Sequence, residues 1–536
     1  MKRLLFLLTL ICMVISTNVT FAEDIGKGKK LIYIPIDNRP INLIQTIEVA
    51  ERLGYEVLVP PEIFLGTGPK PEQYGNPAEL WNWLILNAPK ADAAVISTDA
   101  MLYGSLVGSR NHILTNEEIL SLAKNFEQLH NENPALPIYA FATIMRTPRS
   151  ASATSNAEPE YYKTYAAKIF NYTALKDKSE TEKLSEMEQS EMAALEKEIP
   201  AEYLQDWLGR RAKNYDANKY FVDLTKKNAF KYFLVGCDDS ALFSQTHLES
   251  RHLTEYGKPL GKELFQVMSG ADELGMLMLS RAINNDLHLV PSISISYNDG
   301  KGGDTVPTFS NEKISESLEG AILSVGGIRV TNPENADLVL AIHTFPNGKT
   351  VNADSKKNKR RAHTGIGPYM KMLKGYVKNN YPVGVVDIST SNGSDNALMQ
   401  RLKRDNLQFK IRSYSGWNTA TNSAGFLIGA GVLTNQMTND DIYALLMTRY
   451  LDEWAYQANI RTQINNGLIW TIPGDGNAWN LGTRQEGLEK LAGEKISEFA
   501  KKNFRLPKNY SLKNIQVLFP WNRTFEAEIT FDLEEN

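Results

Sequence analysis

The stretch KYFLVGCDDS, Lys231 to Ser240, joins a run of apolar, β-prone residues to two adjacent carboxylates, and the same pattern recurs along the chain. It returns in LIYIPID ending at Asp37, AAVISTD ending at Asp99, IYAFATIMR ending at Arg146, QVMSGADE ending at Asp272 and Glu273, and VGVVDIST around Asp387. Uninterrupted apolar runs of this length suit strands buried on both faces of a parallel sheet. In such folds the carboxyl ends of the strands face a crevice where ligands bind. The polar residues that end these runs are therefore expected to line one site.

Working outward, strands are expected near 31–36, 56–60, 93–97, 137–145, 231–237, 265–269, 289–297, 337–344, 382–390 and 408–415, mostly separated by helical segments. That alternation defines an α/β, mostly parallel fold. Two architectures are compatible with it, an elaborated (β/α) barrel or two Rossmann-like lobes facing each other. The barrel is favoured, because polar groups end at least six strands whereas one doubly wound sheet focuses its ligand groups at one switch point. A Glu/Lys-rich helical insertion spans roughly 157–228, and the α/β core runs over 23–415. From 416 to 536 the chain becomes a mainly helical cap with a closing strand pair near 514–532.

The chain has 536 residues, 42% hydrophobic and 22% charged, enough for globular domains with full cores. A net charge of -4 shows no basic excess, so no nucleic-acid partner is expected. The basic run Lys356, Lys357, Lys359, Arg360 and Arg361 reads as a solvated loop. Lys2 and Arg3 precede the apolar stretch Leu4 to Ile15 and the small-residue site ending at Ala22, the pattern of a cleaved export signal over 1–22. Ile11 before Cys12 is too bulky for the usual lipoprotein site. No later stretch reaches the roughly 20 apolar residues that span a bilayer, so the expected location is secreted or extracytoplasmic. After cleavage one cysteine remains, Cys237. It cannot form an internal disulfide, and adjacent carboxylates disfavour its thiolate.

Chemistry is best supported at Asp238 and Asp239. Two crowded carboxylates have their proton affinities driven apart, leaving one to act as acid and one as base or orienter; a divalent cation or an ordinary turn would use the same letters. Replacing either by Asn is expected to leave stability unchanged or slightly raised. Asp272 and Glu273 open the helical segment DELGMLMLSRA, where acids serve as dipole partners or ligand groups. Arg210, Asn214 and Asn218 fall at i, i+4 and i+8 on one helix face beside Arg211; that face suits either a salt-bridged surface or a hydroxylated, anionic ligand. In SYSGWNTATNSAG, Ser413 to Gly425, Trp417 can offer a flat apolar surface, and Asn418, Thr419 and Asn422 hydrogen-bond groups near a helix start. There is no GxSxG, HExxH, CxxC or P-loop, and His247 and His252 have a spacing unsuited to shared ligation. No cofactor and no metal is expected.

Seven motifs together resemble one bacterial family, catalogued as domain of unknown function 4127: IPIDNRPIN, ISTDAMLYGSLVGSR, RRAKNYDAN, GCDDS, SGADELG, SYSGWNTATNSAG and FPWNRTFEAEI. The resemblance implies no reaction. It marks as motif positions Asp37, Arg39, Pro40, Asp99, Tyr103, Arg110, Arg146, Arg210, Asn214, Asn218, Asp238, Asp239, Asp272, Glu273, Trp417, Asn418 and Asn422. Where the family tends to read YGGL, this chain has Tyr103-Gly104-Ser105-Leu106. A second likeness, of site design only, is to retaining glycosidases that use the substrate's acetamido group. It implies Asp238 as the polarising residue and Asp239 as general acid and base.

These readings converge on an exported carbohydrate-active hydrolase in which Asp37, Asp99 and Asp272 hold sugar hydroxyls and a glycan or other small molecule is the ligand. A non-catalytic glycan-binding protein and a metal-dependent hydrolase are the alternatives.

Overall fold

Each long apolar run folds as a strand, and the strands sort into two sheets. The computed structural model describes residues 25–150, 157–359, 361 and 363–536. The export signal read at 1–22, with Cys12, and Arg360 of the basic run lie outside the described residues. Strands β1 (Lys30–Ile34), β2 (Glu56–Leu58), β3 (Ala93–Ser97), β4 (Ile138–Ile144), β5 (Tyr232–Cys237) and β6 (Phe265–Ser269) form one sheet, order β2-β1-β3-β4-β5-β6, with every pairing parallel. The second sheet takes β7 (Ser292–Tyr297), β8 (Ile328–Arg329), β9 (Leu338–His343), β11 (Val383–Asp387) and β13 (Ser413–Ser415), order β13-β11-β9-β7-β8, again all parallel. The short β10 (Val351–Asn352) and β12 (Thr390–Ser391) pair with each other.

Counted from its own first strand, the second sheet repeats the wind of the first: the second strand lies outside the first, and the third lies on the first strand's other side. Both are open, doubly wound sheets with a switch point, β1/β3 in one and β7/β9 in the other. The fold is therefore α/β and mostly parallel, in the two-lobed arrangement. Polar residues end so many strands because two sheets each present a carboxyl edge.

Alternation along the strands shows why these residues pair as they do. Leu31, Tyr33, Val95 and Phe141 face one core; Ile32, Ile34, Ile96 and Ala140 face the other. The first of these cores is continuous across the molecule, running from β1 through Met276 and Leu427 to Leu340 and Val385 of the second sheet. Two helices carry that continuity. Leu274–Asp286 follows β6 and packs on the first sheet, and Ala420–Leu433 follows β13 and packs on both that helix and the second sheet. Every residue of Ala420–Leu433 is buried, which accounts for its lack of a polar face.

Glycine sets the spacing here. A Cβ at Gly429 would lie 2.8 Å from Met276 Cγ and 3.1 Å from its carbonyl oxygen, and one at Gly431 would lie 2.8 Å from Ser413 Oγ on the opposite side. The insertion folds as Tyr162–Thr181, Glu186–Glu198 and Ala201–Lys226 around a small core of Tyr162, Ile169 and Trp207. At the carboxyl end come Asn439–Arg449, its π-helical continuation Tyr450–Ile460, the helix Gln485–Asn503 and the antiparallel pair β14 (Tyr510–Leu518) and β15 (Glu528–Glu535). Among the described residues no helix is long and apolar enough to cross a membrane.

Candidate functional site

A cavity of about 560 Å³ opens where the carboxyl edge of the first sheet meets the start of Ala420–Leu433 and the loops before β15. From the first lobe come Arg39, Arg110, Arg146, Asp238, Asp239 and Asp272. From the second come Asn392, Asn418, Thr419 and Asn422, and from the carboxyl-terminal region Arg461, Trp479, Trp521, Arg523 and Phe525.

Arg39 ties the floor together. Its Nε donates to Asp37 at 3.0 Å, and its two terminal nitrogens fork onto Asp272 at 3.1 and 2.6 Å. Asn42 donates to Asp37 at 2.8 Å, and Asn418 donates to Asp272 at 3.0 Å across the lobes. Trp521 stacks over the Arg39 guanidinium at 5.4 Å and donates its indole N–H to Asn38. A buried cation between two buried carboxylates is a paired set, and removing any member strands the others.

Asp238 and Asp239 diverge, as adjacent carboxylates must. Asp239 holds φ at 38°, in the left-handed region that Asp tolerates better than most residues. Asp238 receives Arg110 at 2.5 Å; Asp239 is reached by Arg146 at 3.3 Å. Glu158, its side chain wholly buried, sits between these arginines, accepting from Arg146 Nε at 2.7 Å and lying 3.7 Å from Arg110. Charge thus alternates along Asp238, Arg110, Glu158, Arg146 and Asp239. Burial first, then the neighbouring Asp238, pushes the Asp239 carboxyl up to about 6, although Arg146 and Arg110 oppose the shift. Its side chain remains 30% exposed.

Several sequence-predicted residues support this site from behind. Asp99 is buried and accepts from the backbone N–H and hydroxyl of Thr143 at 2.7 and 2.9 Å; burial raises it to about 7. Tyr103 is buried and stacks on His112 at 4.7 Å. Burial is also the main cause that lowers His112, to about 4. Asp37 and Asp99 are therefore not placed to hold a sugar hydroxyl: neither lines the cavity, and the oxygens of Asp37 are occupied by Arg39 and Asn42.

The Arg210, Asn214 and Asn218 face is one helix face, as its spacing predicts, but it looks at protein. Arg210 bonds Asp206 and the His112 carbonyl, Asn214 bonds the Ser109 carbonyl and His112, and Asn218 bonds the Thr143 carbonyl. Beside it, Arg211 clamps Glu249 and the Met145 and Arg146 carbonyls. These contacts hold the strand end that carries Arg146.

Glu273 does not reach the cavity either; it is buried beneath it, and neither carboxyl oxygen completes a hydrogen bond. Burial raises it to about 8, Asp272 adds to the shift, and the nearby N–H groups of Ala271 and Glu273 offset only part of it. Trp417 is 3% exposed and packs on Phe525, so it is no platform for a ligand. Trp479 provides that surface: it lines the cavity, is 54% exposed and stacks at 6.4 Å on Phe525. Asp387 belongs elsewhere, accepting from Tyr414, Ser389 and the Asp395 backbone. Cys237 is buried, and burial pushes its thiol far up, which rules it out as a nucleophile.

Sequence reasoning missed Glu158, Trp479, Phe525 and Arg461. Arg461 is 5% exposed and lies 4.9 Å over the Phe525 ring, with one 3.5 Å contact to the Asn392 carbonyl. Among the described residues no carboxylate comes within ion-pair distance of it, and burial lowers its proton affinity.

The chain is thus a two-lobed, doubly wound α/β protein with a polar cavity at the junction of its lobes. It belongs to the family described as Protein of unknown function (DUF4127), whose model matches residues 31–530. The match spans all seven motifs from Asp37 to the FPWNRTFEAEI segment. No curated protein is similar enough to the chain to match it.

Proposed function

We propose that the protein is an exported carbohydrate-active hydrolase in which Asp239 is the general acid and base and Asp238 its polarising partner. One observation carries this reading: of the paired carboxylates at the cavity, Asp239 is the partly exposed one and is poised at about 6, beside an Asp238 gripped by Arg110. A group poised near working pH transfers protons efficiently, and a neighbouring carboxyl can orient and polarise the substrate group beside it. The Trp479 and Phe525 rings supply an apolar face suited to a pyranose, and Asn418 and Asn422 supply amides. Export rests on the Lys2 to Ala22 signal pattern.

Incubation with aryl glycosides and cell-wall fragments should release product, and Asp239→Asn should abolish release while ligand-induced thermal stabilisation persists. Absence of turnover by the wild type, with stabilisation by glycans intact, would replace this reading with that of a binding protein. The internal pairing of Asp238 and Asp272 favours that second reading, because a paired wall is ordered before a ligand arrives.

A further inference from the structure

The carboxyl edge of the second sheet carries its own polar cluster, and none of its members lines the cavity described above. His343 ends β9, His363 precedes the helix Ile366–Lys378, and Asp395 caps the helix Asn396–Arg404 by accepting from Ala397 N–H with Oδ1. Both histidines direct Nε2 at the other oxygen, Asp395 Oδ2, from 2.9 Å (His343) and 2.6 Å (His363). The three ligand-capable atoms lie within 4.8 Å of one another. His343 and Asp395 are buried, and the His363 side chain is 24% exposed.

We propose that His343, His363 and Asp395 form a binding site for a divalent first-row transition-metal ion, distinct from the interlobe cavity. Two imidazoles and one carboxylate are the donor set for such ions, and three protein ligands leave positions open for water or a substrate. The spacing is near what ligation needs: with metal–ligand bonds of about 2.1 Å, neighbouring donors stand about 3–3.4 Å apart, so the nitrogen–oxygen separations of 2.9 and 2.6 Å would open by a few tenths of an ångström or more on binding.

The surroundings fit as well. His363 Nδ1 lies 3.1 Å from the Thr364 carbonyl, an acceptor that would keep the proton on Nδ1 when a metal ion takes the place of the proton on Nε2. Such an outer contact fixes a ligating histidine's tautomer. Asp387 holds the Asp395 backbone N–H at 2.7 Å, and Phe345 and Tyr369 shield the imidazoles. The location is apt too, since β9 borders the switch point of the second sheet.

The test is equilibrium dialysis of the untagged full-length chain against Zn2+ and, separately, Co2+, with metal content measured alongside the Co2+ visible spectrum. The expected result is one equivalent per chain, a spectrum with nitrogen and oxygen ligation, and a melting temperature that falls on chelation. His363→Gln and Asp395→Asn should each lower affinity at least about tenfold and lose the chelator response. His363→Gln changes the partly exposed member, so its fold can be verified by circular dichroism. A wild-type chain that binds no stoichiometric metal would overturn the proposal. So would metal retained at unchanged affinity in a folded His363→Gln chain.

Discussion

Replacing Glu273 by Gln should stabilise this protein, and more so as pH rises. The side chain is completely buried under the cavity floor, with Gly270 and Gly425 packed so closely that an added Cβ would lie 1.8 Å from its Oε1 and 2.4 Å from its Cγ. Its carboxyl is raised to about 8, against an ordinary value of 4.5. Below pH 4 the group is neutral in both folded and unfolded chains and has no effect on stability. Between the two values the unfolded chain releases the proton and the folded chain keeps it, so stability falls as pH rises, and the loss is complete above about 8. At roughly 1.4 kcal/mol per pH unit, the accumulated loss is about 3–5 kcal/mol. Gln has the same shape, cannot ionise and meets the same unpartnered surroundings, so the difference between the two chains isolates this one proton. Urea unfolding of both at pH 4, 6 and 8 should show midpoints that coincide at pH 4 and diverge upward in favour of the variant. A gap that does not grow with pH, or a less stable variant at pH 8, would refute the reasoning.

The carboxylate pair should respond asymmetrically to substitution. Asp238→Asn removes the nearer of the two carboxylates that hold Arg110, leaving Glu158 at 3.7 Å, and should destabilise by about 1.5–3 kcal/mol, whereas Asp239→Asn should change stability by less than about 1 kcal/mol; thermal melts separate the two, and equal losses would contradict the arrangement. Arg39→Met leaves Asp37 and Asp272 buried without their shared cation, a loss of about 3–5 kcal/mol that denaturant titration would measure. Gly429→Ala forces its methyl against Met276 and should cost about 1–3 kcal/mol by denaturant titration. Arg461→Gln removes a buried cation with no carboxylate at ion-pair distance among the described residues, so stability should hold or rise, while any thermal stabilisation by acidic sugars, measured against neutral ones, should disappear.

Much of the fold is legible in the sequence because buried parallel strands leave a local trace. KYFLVGC and AAVIS announce themselves without reference to any partner, and β5 and β3 lie where they are expected. Which strand pairs with which is not local. Nothing in VGVVD or SISISY says that they belong to a second sheet, so two carboxyl edges read as one. The same limit governs the site. The spacing of Arg210, Asn214 and Asn218 gives their shared face, but only the tertiary fold shows that the face meets the Ser109 and Thr143 carbonyls. Trp417 sits beside the right amides yet is buried, while Trp479 lies in a stretch of no regular pattern. The expectation that Asn at 238 would leave stability unchanged does not take account of Arg110, which comes from a motif 128 residues away. His343, His363 and Asp395 are likewise joined by no sequence rule.

The glycines of Ala420–Leu433 also bear on how the cavity can work. With Gly429 seated against the backbone of Leu274–Asp286 on one side and Gly431 against β13 on the other, this helix is keyed into both lobes at once. Hinge closure, the usual motion of two-lobed proteins, would have to move this helix past Met276 on one side and past Ser413 and Leu338 on the other, at contacts where an added Cβ would already lie about 3 Å from each. The gap between the lobes is therefore expected to change little when a ligand enters. On that reading, ligand choice would rest on cavity-lining residues such as Trp479, Arg523 and Phe525 rather than on a jaw-like closure.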